Sequence, residues 1–184
     1  MSLFTGKGDT GTSKLFDTPS GVRVSKGDVI FEALGTLDEL NTFVGWTKVI
    51  AKEAAFEGQL IADVLHDVQD HIFTLQAEIA GAPKNVPEES VAALELIINA
   101  IEGALPPITT FLVPGGTELS ARLDVSRAMS RRVERVLVLV QESGERELGG
   151  HSMRYANRLS SLLYALVRWV NHQAEVRETP PAYK

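Results

Sequence analysis

The chain has 184 residues, 44% hydrophobic and 23% charged, the make-up of one globular domain with enough apolar side chains for a real core, which excludes wholesale disorder. Eighteen Lys and Arg against 24 Asp and Glu leave a net charge of −6, so no global electrostatic bias points to nucleic acid or an anionic membrane, and an anionic ligand needs a local cluster. Without cysteine there is no disulfide, thiolate nucleophile or cysteine-ligated metal, and four scattered histidines offer little to a metal ion. No apolar run approaches the roughly 20 residues of a bilayer span, and Met1-Ser2-Leu3-Phe4-Thr5-Gly6 lacks the pattern of a signal peptide, so the protein is expected in the cytoplasm.

Residues 1–27 are rich in Gly, Thr, Ser, Lys and Asp with little apolar periodicity, and read as a loop that is ordered by itself or by a ligand. Ile30, Phe31, Leu34, Leu37, Leu40, Phe43, Val44 and Val49 then recur at threes and fours, which predicts a first helix. Leu60, Ile61, Val64, Leu65, Val68, Ile72, Phe73, Leu75 and Ile79 predict a second, stopped by Gly81-Ala82-Pro83. A shorter third runs through Val91, Leu94, Ile97, Ile98 and Ile101 until Pro106-Pro107, whose ring nitrogens cannot donate. The stretch Thr109–Gly116 is extended or turning. Leu119, Leu123, Met129, Val133, Val136, Leu137 and Val140 predict a fourth helix, opened by Gly116 or Thr117 and closed near Gly144. Met153, Leu159, Leu162, Leu163, Leu166, Val167 and Val170 predict the fifth, before a Pro180-Pro181 tail. No strand alternation of useful length appears, and the expected architecture is an all-α, up-and-down five-helix bundle with short connections, one domain over 1–184: a loop over 1–27, the bundle over 28–174 and a tail over 175–184.

Gly6-Lys7-Gly8-Asp9-Thr10-Gly11 matches the dinucleotide fingerprint in letters, but that motif works between a strand and a helix, and only five residues precede it. It fails as a Walker loop because Thr12-Ser13 follows Gly11. What remains is physical: glycines that let backbone N–H groups line a concavity, hydroxyls on Thr5, Thr10, Thr12 and Ser13, and charge on Lys7 and Lys14, a set that suits polyphosphate. Taken alone, such a segment is more often a Gly-rich terminus without a ligand.

The fourth helix gathers Arg122, Arg127, Arg131, Arg132 and Arg135 in an acidic chain. Arg127, Arg131 and Glu134 share one face, with Arg132 pointing elsewhere. A solvated face paired with Glu134 and Asp124 is the bland explanation, and a fork for carboxylate or phosphate the sharper one. Asp38-Glu39 reads either as two surface acids or as a fixed anion, Asp38, for one of those arginines. Asn157, with Tyr155 and Arg158, reads by default as a surface or capping residue, and Phe111 as core. His66 and His71 stand five apart, poor spacing for shared metal ligation.

Four blocks resemble the PduO-type ATP:cob(I)alamin adenosyltransferases, a family of helical bundles. They are Thr5 through Ser13; Arg23-Val24-Ser25-Lys26 with Glu32 through Asn41; Phe111-Leu112-Val113-Pro114-Gly115-Gly116 leading to Ser126 through Arg135; and Tyr155-Ala156-Asn157-Arg158-Leu159-Ser160. Each is weak alone, but all four stand in order at matching separations. The resemblance implies a homotrimer with ATP and corrinoid at each subunit interface, and adenosyl transfer from ATP to the cobalt of cob(I)alamin with release of triphosphate, Mg²⁺ riding on the phosphates and no metal held by side chains. It implies that Thr5, Gly6, Lys7, Gly8, Ser13, Lys14 and Lys26 surround the nucleotide, completed by Arg131, Arg132, Glu134, Arg135 and Asn157. Arg127 is expected to pair with Asp38 of a neighbouring subunit, and Phe111 to press on the lower face of the cobalt. A cobalamin reductase or an adenosylcobalamin-dependent enzyme is the kind of partner implied. Three positions depart from the family pattern: the basic residue of the first loop is shifted by one, Asp124 stands where a histidine is common, and Ser161 where an aspartate is frequent. Two other classes compete: a corrinoid or nucleotide carrier with little turnover, and a bundle whose arginine face binds an acidic protein.

Overall fold

Asp28 opens the first helix, its carboxylate accepting the Ile30 N–H at 2.9 Å, so that one of the orphan amide donors of α1 (Val29–Ile50) is satisfied locally. The computed structural model describes residues 4–183, and five α-helices carry the fold among them. α2 is Ile61–Ile79, and α3, Glu88–Ala104, places Glu88 and Glu89 at the positive end of its dipole. α4 (Glu118–Ser143) begins in a reciprocal capping box between Thr117 and Ser120 and ends at Gly144, whose φ of 75° is the left-handed conformation glycine adopts at least cost. α5 is Gly150–Gln173.

α4 lies between α1 and α5, α2 packs on the other side of α1, and α3 packs on α5. The predicted apolar stripes meet in one core, where Leu37, Leu40, Leu65, Ile72, Leu123, Leu137, Leu159 and Leu163 are buried, while Val49, Leu60 and Phe73, counted in the stripes, stay exposed. Burying each such side chain contributes about 1.5–3 kcal/mol. α5 has no side-chain cap of its own. Glu78 of α2, itself buried, supplies one from outside: it accepts the Gly149 N–H at 2.7 Å and the Ser152 hydroxyl at 2.5 Å, while the Ser152 oxygen accepts Val86 N–H at 3.1 Å.

The structure differs from the sequence-based expectation in three places. The first 27 residues contain a ladder, β1 (Thr12–Ser13) antiparallel to β2 (Val24–Ser25), reinforced by Arg23, whose Nε and Nη2 donate to the side chain and carbonyl of Thr12, each at 2.7 Å. A second ladder, β3 (Ala55–Phe56) with β4 (Gln59–Leu60), turns through Glu57 and Gly58, both at positive φ as the type I′ form of a two-residue hairpin requires. The connection from 105 to 117 is long rather than short, and is neither helix nor strand.

Residues beyond α5 do not trail away. Glu175 takes φ 53°, the Val176 N–H reaches the Asn171 carbonyl at 2.9 Å and the Glu175 N–H reaches that of His172 at 3.1 Å, a Schellman turn that sends the chain back along α5.

Candidate functional site

The site residues named from the sequence fall on three surfaces, two of which share α4. The first belongs to the strap of residues 5–27 and to α1. Two turns, Asp9 N–H to the Gly6 carbonyl at 3.2 Å and Gly11 N–H to that of Gly8 at 3.1 Å, coil the Gly-rich segment, with Gly6 and Gly11 at positive φ. Lys26 Nζ donates to the Gly8 carbonyl at 3.3 Å, so a cation sits directly over the coil. A recess of about 500 Å³ is lined by Ser13, Lys26, Phe31, Leu34, Gly35 and Asp38, with Gln76. Thr5, Gly6, Lys7 and Lys14 are exposed beside it and Gly8 is half-buried.

The second surface is a cleft of about 470 Å³ between α4, α5 and the 105–117 connection. Arg127 and Arg131 form one wall, Ser160, Ser161 and Tyr164 the other, and Phe111 with Leu112 the rim. Phe111 is 80% exposed, so its default assignment to the core is wrong, and it stands at the mouth of the cleft. Ser161, one of the departures from the family pattern, lies in this wall.

The third surface is the outer face of α4. A groove of about 600 Å³ is lined by Pro114, Gly115, Ala121, Asp124, Val125, Arg127, Ala128, Met129, Arg132 and Arg135, so Arg127 borders both groove and cleft. The positions 121, 125, 128, 132 and 135 alternate by four and three, which is why small, apolar and basic residues share one stripe.

Hydrogen bonds connect these surfaces. Asn157 donates its amide to Glu134 at 2.6 Å, linking α5 to α4, and Arg158 donates to the Asn157 carbonyl oxygen. Arg132 is ion-paired with Glu39, which fastens α4 to α1 one residue from Asp38. Arg127 donates its Nε to Asp124 at 2.8 Å within the chain, three residues back on the same helix. Its expected partner, Asp38, faces the other recess. Among the described residues no hydrogen bond or ion pair joins the strap to Arg131, Glu134, Arg135 or Asn157. One chain therefore holds the basic coil and the arginine face on separate surfaces.

The sequence reading names Ser160 only as the end of a family block and gives Tyr164 no place in the site. The arginine of residue 127 lies 5.7 Å from the Tyr164 ring centroid, and burial pushes the Tyr164 phenol above its usual value, with Arg168 pulling it back and Glu178 and Asp124 pushing it further. The signal was present: Asn157, Ser161, Tyr164, Arg168 and Asn171 recur at four and three, a polar stripe on a helix whose other face is apolar. No group of three His, Asp or Glu side chains is gathered for a metal ion among the described residues.

Comparison with known proteins identifies the family. The chain is 39% identical over 181 residues to the corrinoid adenosyltransferase PduO of Citrobacter freundii, covering 95% of this chain and 51% of that protein. It is 38% identical over 195 residues to PduO of Salmonella typhimurium, covering 100% of this chain and 55% of that one. The chain thus spans about half the length of these relatives. A variant PduO-type ATP:corrinoid adenosyltransferase from Lactobacillus reuteri, solved in complex with cobalamin and ATP, superposes with a TM-score of 0.85 at 26% identity, over 98% of this chain and 96% of that one. The family model for cobalamin adenosyltransferase matches residues 3–170, the whole of the strap and all but the end of the fifth helix, and the chain belongs to that family.

Proposed function

We propose that this chain transfers the 5′-deoxyadenosyl group of ATP to the cobalt of cob(I)alamin, giving adenosylcobalamin and triphosphate. The observation that carries the reading is the cleft in which an exposed Phe111 faces Arg127, Arg131 and Tyr164, on a chain of the cobalamin adenosyltransferase family. The electron pair on Co(I) attacks the ribose C5′; the Co–C bond forms as the C5′–O bond breaks, cobalt ends as Co(III), and the bonding pair leaves on the triphosphate oxygen. The metal centre is its own nucleophile, so the reaction needs no serine, cysteine or general base from the protein. Position and charge are what the protein must contribute. Holding cobalt and carbon in line is worth up to about 7–11 kcal/mol as effective concentration, and preorganised Lys and Arg donors stabilise the leaving triphosphate.

In this reading Thr5, Gly6, Lys7, Gly8, Ser13, Lys14 and Lys26 hold the nucleotide from one subunit, and Arg131, Arg132, Glu134, Arg135 and Asn157 complete its site from the next. The separation of strap and arginine face within one chain supports an assembly of this kind, a homotrimer of up-and-down bundles. Arg127 exchanges Asp124 for Asp38 of a neighbouring subunit when the site assembles. Phe111 covers the lower face of the cobalt and keeps a nitrogen ligand away, which eases reduction from cob(II)alamin. Mg²⁺ enters on the triphosphate as part of the substrate and offsets its charge. One domain over 1–184, a place in the cytoplasm and a reductase or adenosylcobalamin-dependent enzyme as partner complete the proposal.

Incubation with ATP, Mg²⁺ and chemically reduced cobalamin tests it. The cob(I)alamin spectrum is expected to convert to that of the adenosyl form, with one triphosphate released per turnover. A folded protein that converts nothing over many hours sinks the reading, and conversion that stops after one turnover moves it to the carrier alternative.

A further inference from the structure

The connection that carries Phe111 has no secondary structure, yet it is attached at both ends and in the middle to residues that the adenosyl-transfer reading leaves unused. Arg168 of α5 donates from Nη2 to the Pro106 carbonyl at 3.1 Å, where the connection begins. Asn171, buried one turn further along α5, donates from Nδ2 to the Gly115 carbonyl at 3.2 Å, where it ends. Between them, Val113 N–H reaches the Thr179 carbonyl at 2.9 Å. Both anchoring side chains are themselves held by one carboxylate: Glu178 accepts Arg168 Nε on Oε2 and Asn171 Nδ2 on Oε1, each at 3.1 Å. The side chains of Arg168 and Glu178 are only 13% and 19% exposed, so this pair is shielded from solvent far more than an ordinary surface bridge. Gly116 leaves no slack, since a Cβ there would lie 2.2 Å from Asn171 Oδ1. The Schellman turn at Glu175 brings Glu178 back to this place.

We infer that Glu178 is a positioning residue for Phe111: by orienting Arg168 and Asn171 it fixes both ends of the connection, and through them the angle at which the ring meets the lower face of the corrinoid. This rests on the adenosyl-transfer reading and adds to it a segment outside the strap and the arginine helix. Glu178 acts at a distance, through the connection, and touches no reacting atom. Phe111 is exposed, so nothing in the core fixes it; what limits its motion is the attachment of the segment on either side.

Glu178→Ala tests the inference in two steps. Amide exchange at Val113, whose N–H is bonded to the Thr179 carbonyl next to Glu178, is expected to rise by about tenfold in the protein without ligand while α1 and α4 keep their protection. With ATP bound, the variant is expected to lose about tenfold in rate when the starting corrinoid is cob(II)alamin plus a reductant, and less than about twofold when cob(I)alamin is supplied. The electron paramagnetic resonance of its bound cob(II)alamin is expected to show more of the axial-nitrogen splitting than the parent protein. Phe111→Ala should show the same pattern more strongly, and Phe111→Ala/Glu178→Ala should be no worse than Phe111→Ala, because the carboxylate works through the ring. Unchanged exchange overturns the inference, as do faster exchange with an unchanged cobalt signature and losses that add in the double variant. In all three cases transfer by the parent protein leaves the adenosyl-transfer reading standing. A parent protein that transfers nothing overturns both.

Discussion

Asn157 on α5 and Glu134 on α4 are joined by a 2.6 Å hydrogen bond in which the amide donates to the carboxylate, and this bond crosses the seam between the polar stripe of one helix and the arginine face of the other. The amide orientation matters because Arg158 donates to the other end of the same group. Asn157→Asp removes the donor and sets two carboxylates together at the place proposed for a triphosphate. The variant should keep its helical content, since Asn157 is exposed, and lose at least about tenfold in ATP affinity by calorimetry. An unchanged affinity takes Asn157 out of the nucleotide site.

Arg131 is exposed on α4, and no ion pair involves it among the described residues. Arg131→Ala should therefore change the unfolding free energy by less than about 0.5 kcal/mol. Adenosyl transfer should fall by about 10²–10³-fold, the size seen when one preorganised donor is removed from developing charge. Steady-state rates alongside a denaturant curve separate the two effects, and a rate within threefold of the parent removes the residue from the mechanism.

Glu78 caps a helix that is not its own. Glu78→Ala leaves the Gly149 N–H and the Ser152 hydroxyl without their acceptor at a buried helix start, a loss of about 2–3 kcal/mol. For a chain of this size that is a fall in Tm of about 4–10 °C by calorimetry. Glu78→Gln, which keeps an acceptor oxygen, should recover part of it. No change in Tm would show that the start of α5 is held by packing alone.

Asp17 ties the strap to Arg146 at 2.7 Å, beyond the end of α4, and that hydrogen bond holds the Asp17 carboxyl below its ordinary value, with burial opposing and the Arg146 charge assisting. A carboxyl depressed in the folded state contributes stability above its unfolded value, near 3.8, and loses that contribution as pH falls through the lower folded value. The pair is at the surface, so the effect is small, about 1 °C in Tm. Between pH 6 and pH 3 the parent should lose slightly more Tm than Asp17→Asn; an equal loss would mean that the pair contributes nothing measurable.

The helices were legible because each needed an apolar stripe to reach the core, and because Pro106-Pro107, Thr117 and Gly144 mark ends by backbone chemistry that does not depend on the rest of the fold. The ladder between Thr12–Ser13 and Val24–Ser25 was not, since two residues per strand carry no period, and the Arg23 bond to Thr12 that reinforces it joins residues 11 apart with no local pattern to mark it. Phe111 misled for the opposite reason. Hydrophobicity alone places a phenylalanine inside, and only the family blocks pointed to an exposed role. The attachment of the 105–117 connection through Arg168, Asn171 and Glu178 depends on a left-handed Glu175, a conformation for which glutamate gives no local sign.

In the proposed reading, Arg23 and the short ladder also decide how much of the strap a nucleotide has to organise. Thr12 is tied at two points and Lys26 N–H is already on the Gly11 carbonyl at 2.8 Å, so the strap is held from Gly11 onward, and the proposed reading leaves the nucleotide only the coil before it to organise, where Lys26 Nζ already reaches the Gly8 carbonyl. A ligand that freezes so few rotatable bonds surrenders little of its binding energy to chain entropy, and the coil can open again to release a product.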